Sequence, residues 1–378
     1  MSVQHADRAH ALLGASKAKQ WLICTPSVRL EEHFEDKTSE HAALGTLAHE
    51  LSELMISERL NLLSRSELKS RYDRIESDSL CSSELVIYVS SYVDYVIERV
   101  NAAYQTCADE VVLLEQRLDF SEWVRDGFGT GDVVIITDQT VEVIDLKYGI
   151  GVPVSAVENP QLKLYGLGAI NAFGSLYGFD NVRLTIVQPR LDSISTWEIM
   201  VDDLLKWGDD YVHPRAQLAF EGKGEFVPGK HCQFCKAKAA CRARADQNLE
   251  LAKLDFKPPG YLELHELTDV LKQADLLKTW VSDVQKYALE AILNGKAIDG
   301  FKVAPGRSSR KYSDEQVVMS TLYDIGYATE EICKPIELVG IGELEKRIGK
   351  KKLNEYIGHL FIKTEGNPKL AEVNNDFI

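Results

Sequence analysis

Gly129-Thr130-Gly131-Asp132-Val133-Val134-Ile135-Ile136 and, after a short polar gap, Val141-Glu142-Val143-Ile144-Asp145-Leu146-Lys147 decide the fold. Each run is short, rich in β-branched residues and bounded by glycine or polar residues, the pattern of a strand. Both are nearly continuous apolar runs, as strands covered on both faces are. Thr137-Asp138-Gln139-Thr140 supplies the turn. A hairpin centred between Asp138 and Gln139 sets Asp132 directly opposite Asp145. Opposed residues on antiparallel strands have Cβ atoms about 4.5–5.5 Å apart, and like charges there repel. Two carboxylates so placed at the end of an apolar hairpin call for a cation. Lys147, two residues beyond Asp145, points to the same face. Hard oxygen ligands with few protein contacts suit Mg²⁺ or Mn²⁺. The plainer alternative is an Asp–Lys pair at an exposed strand end.

Outward from the hairpin, Val111–Leu118, Thr130–Thr137, Val141–Lys147 and Val182–Gln188 are expected as strands, with an edge strand at 192–200. Asn159-Pro160 opens a helix, asparagine as N-cap and proline at the first helical position. Upstream, helices are expected over 8–23 and 39–61. The period of Val86, Val89, Val93, Val96 and Val100 continues helix through 63–106. Residues 202–221 read as helical. The fold class is thus α/β, a mixed sheet flanked by helices. A helical insertion covers about 50–108, and a cysteine segment covers 230–245. Lys257-Pro258-Pro259-Gly260 marks the boundary between a first domain, 1–256, and a mostly helical second one, 257–378. In the second, a short strand is expected near Phe301–Ala304, and the polar tail after Gly366 is expected to be mobile.

Composition sets limits. At about 150 residues per domain, 378 residues make two or three units. Hydrophobic residues at 45% and charged residues at 27% exclude wholesale disorder. No apolar run approaches the roughly 18 residues of a membrane span, and the N-terminus lacks a secretory pattern, so a cytoplasmic protein without a membrane partner is expected. Lys and Arg number 43 against 58 Asp and Glu, a net charge of −15, which excludes a uniformly basic coat. Basic patches remain at 230–244, 302–311 and 346–352. Seven cysteines in such a chain argue against a disulfide framework. Cys232, Cys235 and Cys241 are spaced C-x2-C-x5-C, with Cys24 far upstream. Four thiolates hold either a [4Fe–4S] cluster or zinc, and spacing does not choose between them.

Three further residues complete the pattern. His49 lies on the 39–61 helix within Gly45-Thr46-Leu47-Ala48-His49. A zinc-protease motif fails there, because residue 53 is glutamate where a second histidine is needed. Gln161 and Tyr165, four apart, share a helix face. Together these residues resemble the PD-(D/E)XK nuclease superfamily in its RecB-like branch. Gly45…His49 matches the first motif, Gly129-x-x-Asp132 the second, Asp145-Leu146-Lys147 the D/E-x-K motif and Gln161-x-x-x-Tyr165 the fourth. The iron–sulfur members, CRISPR-associated RecB-like and AddB-type nucleases, place one cysteine before the core and three after it, as here. The resemblance covers about residues 8–245 and points to a phage or prophage member.

The resemblance implies a restriction-endonuclease-like core and a Mg²⁺- or Mn²⁺-dependent DNA exonuclease working in phage recombination or end-processing inside a bacterial host. Asp132, Asp145, His49 and the Leu146 carbonyl would hold the metal. Lys147 would orient the attacking water or neutralise developing charge, and Gln161 and Tyr165 would position the strand. Glu115, on the first strand, is a secondary acidic partner. Cys24, Cys232, Cys235 and Cys241 would hold a [4Fe–4S] cluster in preference to zinc, in a mechanical role. DNA ends are the expected partner, with a phage annealing or single-strand-binding protein beside the enzyme. Lys236, Lys238, Arg307, Arg310 and Lys311 are the candidate DNA grips, the last three in a Gly- and Ser-containing loop. The alternatives are a non-catalytic DNA-binding or scaffold subunit with a structural metal, and a structural zinc protein. The intact Asp145 and Lys147 argue against the first.

Overall fold

The computed structural model describes residues 11–35, 40–107, 109–150, 153–252, 264–333, 340–341, 344 and 348–372. The chain divides into two compact units, Met1–Glu263 and Leu264–Ile378. The boundary expected at 257–260 lies outside the described residues.

The first unit is built on a five-stranded sheet in the order β1-β2-β3-β4-β5, comprising Val111–Asp119, Phe128–Ile136, Thr140–Leu146, Asn181–Gln188 and Ser193–Met200. Only β3 and β4 run parallel. Their connection is helix α6, Pro160–Phe173, whose cap is the expected one: Asn159 accepts from the Gln161 and Leu162 amides, with proline in the first turn. The β2–β3 ladder pairs Val133 with Ile144 and Ile136 with Val141, the register read from the turn. This mixed sheet flanked by helices is consistent with the expected α/β, restriction-endonuclease-like arrangement.

Both faces of the hairpin are covered. Val134, Ile136, Val141 and Val143 pack with Leu164 and Leu167 of α6. Val133, Ile135, Ile144 and Leu146 pack with α3 (Glu40–Arg59) and α5 (Ser83–Thr106) through Leu51, Leu54, Val89, Val93 and Val96. Each such side chain withdrawn from water stabilises the fold by roughly 2 kcal/mol. A buried ion pair fastens α5 to the sheet: Arg99 donates twice from Nε and once from Nη2 to the Glu142 carboxylate of β3.

Three helices differ from expectation. Residues 63–106 form two helices, α4 (Arg65–Glu76) and α5, because Ser82 turns its hydroxyl to the Leu85 amide and starts a new helix. The 8–23 helix shortens to a 3₁₀ turn at Ala15–Lys17 and α1 at Ala18–Ile23, since Gly14 is extended; residues 8–10 lie outside the described residues. The 202–221 helix is α7 (Val201–Trp207) and α8 (His213–Glu221), joined by a wide turn at Gly208–Val212. Ser27–Glu31 is α2 and Arg242–Ala252 is α9.

The second unit holds α10 (Leu264–Leu293), β6 (Phe301–Tyr312), α11 (Glu315–Ile325), α12 (Thr329–Ile332), α13 (Lys350–Ile357) and β7 (Phe361–Glu372). Two expectations are corrected here. The stretch holding Arg307, Arg310 and Lys311 lies in strand β6, not a loop, with Arg310 and Lys311 paired and Arg307 at a register shift, and the tail after Gly366 continues a strand to Glu372. Pro305 falls at a register shift between Ala304 and Gly306, a place where a missing amide is tolerated. Among the described residues no helix is long and apolar enough to cross a membrane.

Candidate metal centre and cysteine pocket

The centre sits where β1 and β2 change their alternation. Leu113 and Leu118, an odd and an even position, pack into the same core. The switch falls at Glu115, whose φ of +47° is left-handed. The ladder runs from Leu114–Val133 to Gln116–Gly131 and omits the pair between them, Glu115 and Asp132. On β2, a side chain at Gly131 would meet Leu118 and Val134, so Gly131 and Val134 also share a face. The register is the same on both sides of this break, so the left-handed residue re-aims the side chains without inserting one. The ligand atoms of His49, Glu115 and Asp132 come within 4.8 Å of one another.

Asp132 is fixed from two sides. The Leu146 amide donates to Oδ2 at 2.7 Å, and His49 Nδ1 is 3.2 Å from Oδ1. Burial works to deprotonate His49, but the Asp132 carboxylate, with Asp145 and Glu115 beyond it, outweighs burial and raises the imidazole to about 9. Glu115 is exposed as a residue, yet desolvation on its protein side, then the Asp132 charge, push its carboxyl up to about 7. Glu53, one helical turn beyond His49, is taken by Arg71 of α4, whose Nη1 donates to Oε1 at 3.1 Å.

Asp145 is held apart from that triplet by its own partners. It is 2% exposed, accepts from Gln161 Nε2 at 3.0 Å and lies 2.8 Å from Lys147 Nζ. Burial raises its carboxyl, and the Lys147 charge opposes the rise. Burial would lower Lys147, but Asp145 more than offsets it, so the ammonium is held above its ordinary value. Lys147 also donates to Gln161 Oε1 at 3.0 Å, and Gln161 donates to the Tyr165 hydroxyl at 3.1 Å. Gly129 explains its place in the motif: a side chain there would stand 2.6 Å from the Tyr165 ring.

The sequence patterns thus lead to His49, Asp132, Asp145, Lys147, Gln161 and Tyr165, and the structure gathers them. Glu115 moves from a secondary to a central place. Leu146 contributes its amide to Asp132. Tyr92 of α5 escaped the sequence reading. It is fully buried, its hydroxyl has no hydrogen-bond partner, and burial, then Asp132, Asp145 and Glu115, hold its proton on. Its only sequence signal is a tyrosine on the buried stripe of α5, where Val89, Val93 and Val96 are apolar.

Cys24, Cys232, Cys235 and Cys241 line one pocket, together with His231 and Arg244. All four are free thiols. Burial pushes the Cys24, Cys232 and Cys235 thiols up, Cys235 to about 12. The Gly229 amide donates to Cys232 Sγ at 3.3 Å. Side-chain bonds to backbone set the N-terminal segment of the pocket. Thr25 donates to the Lys223 carbonyl, Arg29 to that of Phe220, and Arg215 to that of Leu22, while Glu31 accepts from the Lys236 amide. Of the basic residues near the cysteines, Lys238 Nζ donates to the Gln233 carbonyl. Arg244 is 5% exposed and braces the Lys238 carbonyl, so it is an internal strut and not a surface grip. Arg307, Arg310 and Lys311 lie on β6 in the second unit.

A family model described as "Protein of unknown function (DUF2800)" matches residues 10–376. A solved structure, "Crystal structure of SSO0001", is similar at 16% identity, covering 58% of this chain and 95% of that one, with a TM-score of 0.23.

Proposed function

We propose that this chain, which belongs to the DUF2800 family, is a metal-dependent deoxyribonuclease of the PD-(D/E)XK, RecB-like kind. It would hydrolyse phosphodiester bonds as an exonuclease in phage recombination or DNA end-processing. One observation carries this. His49, Glu115 and Asp132 offer converging ligand atoms at the end of the sheet where Asp145, Lys147, Gln161 and Tyr165 form a bonded chain.

The donor set fits a hard divalent ion. Two carboxylates and an imidazole converge there, and the Asp132 carboxylate holds the His49 imidazole above its ordinary range. Glu115, Asp132 and His49 would hold the ion, with Asp145 behind them. The ion would supply an activated water and neutralise charge during in-line displacement at phosphorus. Lys147, held as an ammonium by Asp145, would orient the attacking water or neutralise the developing phosphorane charge. Gln161 ties Asp145, Lys147 and Tyr165 into one geometry. Tyr165 keeps its proton, held by burial first and Asp145 next, so its hydroxyl would donate to a strand oxygen while accepting from Gln161. That Cys24, Cys232, Cys235 and Cys241 line one pocket supports a [4Fe–4S] cluster there, with zinc as the alternative. Thiols pushed toward neutrality by burial become good ligands only when a metal displaces their protons.

The test is digestion of end-labelled single- and double-stranded DNA by the full chain with Mg²⁺ or Mn²⁺, against a closed circular control. Loss of label from linear DNA alone is expected. No cleavage of any DNA with either ion would overturn the proposal. Iron and sulfide in the purified protein support the cluster, and zinc alone replaces it.

A further inference from the structure

Arg190 stands at the same end of the sheet as the carboxylates. Strands β3 and β4 are parallel, Leu146 pairs with Val187, and the Lys147 amide donates to the Val187 carbonyl at 2.9 Å. Immediately beyond β4 the chain turns through Pro189–Leu191. The Arg190 guanidinium lies 5.1 Å from the ring centre of Tyr148, the neighbour of Lys147, and 5.9 Å from that of Tyr88 on α5. Its side chain is 20% exposed. Nη2 donates to Glu84 Oε1 at 3.0 Å, while Nε is buried with no hydrogen-bond partner among the described residues. Glu84 is 61% exposed.

A guanidinium placed by two aromatic rings thus keeps a partly exposed face, and its one ionic partner among the described residues is a carboxylate that water can readily take back. Exposed pairs of this kind contribute little, so exchanging Glu84 for another oxyanion costs little. The fork of a guanidinium matches the oxygens of a phosphate. None of the four motifs uses this residue.

The geometry points to Arg190 as the seat of a backbone phosphate of the bound DNA strand, next to the scissile one. Glu84 occupies that seat until DNA arrives. The inference rests on the nuclease reading and adds a strand-binding site to it. It has a signature of opposite signs: removing Arg190 weakens DNA binding, whereas neutralising Glu84 strengthens it. A residue that merely fastened α5 to the turn after β4 would lack that signature.

The experiment is fluorescence anisotropy of a labelled single-stranded oligonucleotide with the full chain in Ca²⁺, across a NaCl series. Arg190→Gln should bind about tenfold more weakly, with the slope of log affinity against log salt smaller by about 0.7. Arg190→Lys should recover most of the slope. Glu84→Gln should bind severalfold more tightly. Unchanged affinity and slope in Arg190→Gln would overturn the inference. So would unchanged affinity in Glu84→Gln, which remains decisive if Arg190→Gln does not fold. A wild-type protein that neither binds nor cleaves DNA removes the nuclease reading and this site with it. A wild-type protein that cleaves, beside an Arg190→Gln variant that binds normally, removes only this site.

Discussion

The sheet end that gathers Asp132, Asp145, Glu115, His49 and Lys147 carries its own counter-charges, whereas in the pocket lined by Cys24, Cys232, Cys235 and Cys241 burial pushes the first three thiols up. In the first, a raised imidazole and a raised ammonium balance the carboxylates, and hydrogen bonds lock each group to a strand or to α6. In the second, position comes from outside the pocket, through Thr25, Arg29, Glu31 and Arg215. The difference teaches what each site needs. The first group carries its counter-charges within itself, whereas the second has its geometry set by side-chain bonds to the neighbouring backbone.

The largest effect should break the comparison at its chemical end. Asp145→Ala or Lys147→Ala should lower DNA cleavage per folded molecule by about 10³-fold, measured on end-labelled DNA with the folded fraction set by thermal melting. Wild-type cleavage in either would dissolve the distinction between the two sites. Next, the Arg99–Glu142 pair is charged and buried like the centre but far from its chemistry. Arg99→Ala should cost about 3 kcal/mol in denaturant unfolding, while the cleavage rate per folded molecule stays at wild type. A matching loss of rate would tie α5 directly to catalysis.

Cys24→Ser sharpens the other side. The variant should lose bound metal and on the order of 2 kcal/mol, because a clip closing a long loop is removed. Its helical content and some cleavage should survive, since the four backbone staples remain. Unchanged metal content would show that Cys24 is not a ligand. The smallest effect is a pH dependence of the metal-free protein. His49, raised from 6.5 to about 9, stabilises the fold fully below its unfolded value and loses that contribution as pH rises through 9. Glu115, raised from 4.5 to about 7, is favoured neutral in the fold, so its ionisation also destabilises as pH rises through that window. Both signs agree. In chelator, the thermal midpoint should fall with rising pH more steeply in wild type than in a His49→Asn, Glu115→Gln double variant. Equal slopes would show that the two groups do not feel the cluster.

What the sequence disclosed was local. The β2–β3 register followed from two apolar runs and a four-residue turn, and Asn159-Pro160 announced α6. His49, Asp132, Asp145, Lys147, Gln161 and Tyr165 came from motif and spacing. Glu115 could not rise to its place, because its arrival depends on one left-handed backbone angle that no side-chain pattern encodes. The β6–β7 pair stayed hidden because Pro305 and Gly306 look like a loop, and the partner strand comes much later in the chain. Arg244 looked like part of a basic surface because charge is visible in sequence and burial is not.

Glu115 also has a consequence for how this protein changes under selection. Its backbone angle is one that glycine adopts freely and glutamate adopts at a cost, on the order of 1 kcal/mol. The backbone and the chemistry therefore ask for different residues at one position. A library selected for heat tolerance alone should drift toward Glu115→Gly, gaining stability as it loses the carboxylate. The same library selected on DNA should retain glutamate. Sequencing position 115 after each regime would reveal whether this carboxylate is kept for the fold or for the reaction.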